Sequence, residues 1–140
     1  MKIATIPMFL AVTVALILSS CANGPNFSLH KLPSGRVVKI AGVMKIAFSE
    51  GDSALMLKYF TDVSLTNTVA LQDEATDIWQ DFRSEVEKAG LKAAVLSANT
   101  MPHGIISQTS GFNFVYQKQP NGEWSALEHK PKSPSNTTAQ

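Results

Sequence analysis

A chain of 140 residues with 12 basic and 11 acidic side chains, formal net charge +1, has room for one domain and hardly two. So even a balance excludes the concentrated basic face that nucleic-acid binding favours. A single cysteine excludes an internal disulfide and a metal site built from several thiolates.

The chain opens with Lys2, followed by an uncharged apolar run over residues 3–18 and then Ser19, Ser20 and Cys21. A positive start, an apolar middle and a small-residue end form the layout of a secretory signal. A membrane-spanning helix needs about 20 consecutive apolar residues; this run is shorter and contains Pro7. Directly after the apolar core, Leu18-Ser19-Ser20-Cys21 resembles the lipobox of bacterial lipoproteins. The resemblance implies diacylglycerol on the sulfur of Cys21, cleavage between Ser20 and Cys21, and acylation of the new amino terminus. Each buried methylene contributes about 0.8 kcal/mol and one chain alone holds only marginally, so several chains on one residue anchor durably. Ala22, rather than Asp, follows the cysteine. By the same resemblance to Gram-negative lipoproteins, this implies transfer to the outer membrane, facing the periplasm. A plain signal peptide with an incidental cysteine and an uncleaved membrane helix are the competing readings.

Residues 22–35, "ANGPNFSLHKLPSG", are polar and broken by Pro25, Pro33 and two glycines, which suits a tether. Residues 129–140, "HKPKSPSNTTAQ", bury too little to offset the entropy of ordering and read as a disordered tail. The expected organisation is a signal peptide over 1–20, a lipidated terminus and tether over 21–35, a single domain over 36–128, and the tail.

Within the body, residues 37–48 alternate: Val38, Ile40, Met44, Ile46 and Phe48 on one side, Lys39 and Lys45 on the other. Gly42 interrupts the stripe and marks a candidate bulge. After the turn chemistry of "SEGDS", Leu55, Leu57, Tyr59, Thr61, Val63 and Leu65 alternate with Met56, Lys58, Phe60 and Asp62, giving a hairpin. A helix follows, capped by Asn67 or Thr68. Leu71, Ala75, Ile78, Phe82, Val86 and Ala89 form its apolar stripe, with Trp79 at the edge. Gly90 ends it in a left-handed conformation, with Leu91 folding back. Residues 91–97 are a short strand candidate, "SANTMPHG" a loop, and Ile105 and Ile106 a further short strand. Residues 112–118 and 123–127 flank "QPNG" as a second hairpin. The order β-β-α-β-β-β predicts an α+β domain: a mainly antiparallel sheet of four to five strands with one amphipathic helix across a face.

Chemistry is sparse. His30 falls in the expected tether and His129 in the tail, leaving His103 in "MPHG" as the only histidine in the body. No nucleophile elbow, His-Glu-x-x-His helix or phosphate-binding glycine loop occurs. Glu74, Asp77, Asp81 and Glu85, spaced three, four and four, form an acidic edge beside the apolar stripe. It reads first as a solvated flank neutralised by Lys88 or by lysines on the sheet. The alternatives are a docking edge for a basic partner and, last, a carboxylate site for a divalent cation. Phe112, Phe114 and Tyr116 alternate on one face of a strand; they complete the core or, if uncovered, form a ligand patch rimmed by the His103 loop. The helix and the following "AGLKAAVLSAN" resemble small bacterial lipoproteins of no assigned activity. The expectation is therefore a non-enzymatic envelope lipoprotein that binds an envelope protein. No cofactor or metal is expected beyond the covalent lipid on Cys21, and no nucleic acid. The alternatives are a small-ligand pocket between helix and sheet, and a small hydrolase using His103.

Overall fold

In the computed structural model, residues 24–102 and 110–127 are described. Chain order gives β1 (Ser28–Lys31), β2 (Val37–Ala47), β3 (Ser53–Thr61), α1 (Thr68–Lys88), β4 (Ala93–Thr100), β5 (Gly111–Lys118) and β6 (Trp124–Leu127). All six strands form one sheet in the order β1-β2-β3-β4-β5-β6. Every pairing is antiparallel except β3–β4, where α1 carries the chain back to start a parallel neighbour. The α+β class stands, with one helix among the described residues, but the sheet there has six strands rather than four to five and is mixed.

The sixth strand comes from the expected tether. Ser28–Lys31 pairs with Val37 to Ile40, and Leu32 is buried just beyond it. Pro33 and Gly35 sit in the connecting turn rather than in a strand. The Leu32 N–H reaches the Arg36 carbonyl at 2.8 Å, and Gly35 adopts φ +92°, a left-handed value that glycine takes freely. The folded body thus begins at least seven residues upstream of Gly35, at Ser28.

The β2 stripe splits. A register shift between Ile40 and Gly42 marks the bulge. Ile40 pairs with the core residue Tyr59, whereas Met44 pairs with Met56 and Ile46 with Ala54, on the opposite face. One inserted residue exchanges the faces of everything after it. β4 also runs further than expected, through Thr100, so the first half of "SANTMPHG" is strand. Ile105 and Ile106 lie outside the described residues.

The helix follows its sequence signals. The Asn67 side chain accepts from the Ala70 N–H at 3.2 Å. At the other end Gly90 has φ +70° and the Leu91 N–H reaches the Val86 carbonyl at 3.2 Å. Leu71, Ala75, Ile78, Trp79, Phe82 and Val86 are buried against Leu57, Tyr59, Leu96, Phe114 and Tyr116 of the sheet, while Ala89 is exposed. Trp79 stacks on Tyr116 at 4.2 Å between ring centroids and meets Trp124 edge-on at 5.0 Å. Burial, then the nearby Glu74 charge, pushes the Tyr59 phenol far above its ordinary value. Burial likewise raises Tyr116, to about 12.

The end of this core is pinned by Glu87. Trp124 Nε1 donates to Glu87 Oε1 at 2.9 Å and Arg83 Nε to the same oxygen at 3.1 Å. The indole bond first, and the guanidinium second, hold the Glu87 carboxyl below its ordinary value of 4.5. Because the folded state has the lower value, this stabilisation is complete above the ordinary value and is lost as pH falls through the lowered one. Trp124→Phe should therefore lose less stability than the natural protein between about pH 6 and about pH 3 in urea unfolding. Equal losses in the two proteins would show that the indole does not hold this carboxylate.

Candidate functional site

Each residue of the acidic edge meets a specific partner. Thr61 Oγ1 donates to Glu74 Oε2 at 2.6 Å in a buried contact. Ser34 Oγ donates to Asp77 Oδ2 at 2.6 Å, with Arg36 Nε 3.5 Å from the same oxygen. His30 Nε2 lies 2.7 Å from Asp81 Oδ2, and Lys88 Nζ 3.1 Å from Glu85 Oε1. The edge is thus drawn onto its own domain by β1, the turn after it and the end of β3. Glu74 and Asp77 are engaged within the fold. Asp81 and Glu85 remain on an open rim, their side chains 36% and 61% exposed.

The sequence places His30 in a tether, yet it stands on a strand and bridges to the helix across 51 positions. No local signal marks it, because β1 is exposed along its whole length. Phe114 and Tyr116 are buried in the core and Phe112 is partly buried beside Phe114, at 4.9 Å between centroids, so these aromatics do not form an open patch. Cys21, Ser20 and His103 lie outside the described residues.

What the fold builds beside the rim is a groove of about 530 Å³ between α1 and the first three strands. β1 covers β2 only as far as Ile40, so the layer between helix and sheet is open past Ser28. Ile40, Leu55, Leu57, Ile78 and Phe82 form the floor, Val43 one wall, and His30, Asp81, Ser84 and Glu85 the polar margin. An apolar floor with a few convergent polar groups is the usual make-up of a ligand site. Asp81 and Glu85 stand at this margin, each against a partner, His30 and Lys88. A second hollow lies at the helix C-terminus, around Glu87, Gly90, Leu91, Lys118 and Pro120. Among the described residues no group of three or more His, Cys, Asp or Glu side chains is placed to hold a metal ion, and no helix is long and apolar enough to cross a membrane.

No family model, curated protein sequence or solved structure matches the chain.

Proposed function

We propose that the protein is a lipid-anchored lipoprotein of the bacterial envelope that acts, without catalysis, as a binding module, and that the groove between α1 and β1–β3 is its binding site. The anchor is supported by Leu18-Ser19-Ser20-Cys21 directly after an apolar run. With Ala22 behind the cysteine, the same motif supports an outer-membrane location facing the periplasm and an envelope protein as partner. The observation that carries the binding role is the groove floor. Ile40 and Leu55, only partly buried, lie with the edges of the buried Leu57 and Phe82 along a space of about 530 Å³. Lining of that kind gains from any apolar group that displaces water, by roughly 25 cal/mol per Å² covered.

An environment-sensitive apolar dye, Nile red, tests this. The natural protein should bind it with enhanced fluorescence. Ser84 is exposed on the helix at the groove margin, so Ser84→Trp should obstruct the opening without entering the core. We expect that variant to weaken dye binding about tenfold, a change of about 1.4 kcal/mol, with its unfolding midpoint unaltered. Equal dye affinity in both proteins would remove the groove as the binding site.

A further inference from the structure

We infer that the helix-free face of the sheet, over β1–β3, rests on the bilayer itself as a mixed apolar and basic surface for anionic phospholipid. This inference rests on the lipid anchor at Cys21 and names the side of the domain that meets the membrane.

Charge is sorted between the two layers. Among the described residues the strands carry five lysines, Lys31, Lys39, Lys45, Lys58 and Lys118, and no carboxylate. α1 carries six carboxylates against Arg83 and Lys88. The remaining described carboxylates lie in connections: Glu50 and Asp52 between β2 and β3, Asp62 after β3, and Glu123 between β5 and β6. Asp62 is taken by Lys39, at 3.0 Å.

Alternation puts Lys31 and Lys58 on the side away from α1. His30 turns to Asp81 on the helix, so its neighbours Leu29 and Lys31 turn the other way. Lys58 stands between the core residues Leu57 and Tyr59. Neither lysine has a carboxylate at ion-pair distance among the described residues. The same face exposes Phe27, Leu29, Val37 and Met44, at 40%, 68%, 55% and 49%. Val37 pairs with Lys31, Leu29 with Lys39 and Met44 with Met56, while Phe27 meets Phe60 of β3 edge-on at 6.1 Å. Apolar groups of this kind enter the headgroup boundary of a bilayer, and lysines beside them are drawn to its anionic phosphates.

The tether selects the occupant. Phe27 stands six positions after Cys21. A fully extended chain gains at most about 3.5 Å per residue, so this face stays within about 20 Å of the acylated residue. The opposite side carries the six carboxylates of α1, which an anionic surface repels. Docked in this way, the domain leaves its helix-side groove turned from the lipid. A second copy is the weaker occupant, because two such faces would set lysines against lysines.

The test uses the full-length mature lipoprotein in vesicles. With Cys21 acylated, an introduced cysteine is the single free thiol and takes one nitrobenzoxadiazole label, whose emission rises in apolar surroundings. Met44→Cys places the label on the proposed face, and Gln80→Cys places it on the exposed side of α1. Emission from position 44 should be at least about twofold higher in vesicles containing phosphatidylglycerol than in pure phosphatidylcholine. Emission from position 80 should be the same in both. Adding Lys31→Gln and Lys58→Gln should remove most of the rise at position 44, with the urea midpoint unaltered. Equal emission at position 44 in the two kinds of vesicle, an equal rise at both positions, or a rise that survives the lysine substitutions would overturn the inference and leave the anchor standing. A chain that carries no lipid and stays off the vesicles would remove the anchor as well. A rise that vanishes as the protein is diluted into excess vesicles would assign the face to a second copy instead.

Discussion

Phe82→Ala should lower stability by about 3–5 kcal/mol, the cost of removing a large aromatic ring from a packed core. Phe82 is 5% exposed, lies on the buried stripe of α1 and also helps form the groove floor. Two terms add: the apolar area returned to water, and the space left behind. α1 is tied to the sheet by Trp79 on Tyr116 at one side and by the Glu74–Thr61 bond at another, so it has little freedom to settle into the gap. A domain of this size is stable by only about 5–15 kcal/mol in total. Urea unfolding followed by tryptophan fluorescence should therefore show a midpoint far below that of the natural protein, with much the same slope. An unchanged midpoint would mean that the stripe does not face a core.

Cys21→Ser should leave the protein without lipid and still carrying residues 1–20. The proposed anchor places several acyl chains on one residue, and stable attachment takes more than one chain. Serine cannot carry the thioether, so the processing that follows lipidation should stop as well. Intact-mass measurement should find the natural protein starting at a lipidated Cys21 and the variant unlipidated with residues 1–20 still attached. A variant cleaved at the same bond as the natural chain would argue against lipid attachment at this position.

The helix was readable because its signals are local and redundant: Asn67 before the first turn, an apolar residue every three or four positions, and Gly90 at the end. Both hairpins announced themselves in the same way, through "SEGDS" and "QPNG" between alternating runs. β1 had no such mark. An edge strand exposed along its whole length leaves no buried face, so no alternation records it, and its partner lies beyond a proline turn. The bulge after Ile40 could be suspected from Gly42, but not its consequence, which moves Met44 and Ile46 to the far side of the sheet. The parallel pairing of β3 with β4 was implicit in a strand, a 21-residue helix and a strand, although the overall pattern favoured an antiparallel sheet. The groove was hidden for a related reason. It exists because β1 stops short of β2, and the length of an edge strand is set by pairing rather than by composition.

The acidic edge shows where sequence reasoning about charge stops. Spacing placed Glu74, Asp77, Asp81 and Glu85 in one line, and lysines were the obvious partners. Only Glu85 has one, Lys88; the others meet Thr61, Ser34 with Arg36, and His30. Partners contributed from the turn and from β1 depend on a pairing between distant segments. Two carboxylates that keep solvent access, Asp81 and Glu85, thereby end up at the mouth of the groove.

Intact-mass spectrometry of the protein extracted from its own membranes bears most directly on the whole account. The expected species begins at Cys21 and carries diacylglycerol on sulfur and a fatty acyl group on nitrogen. A free thiol at that position, or a chain still bearing Met1 to Ser20, would contradict it.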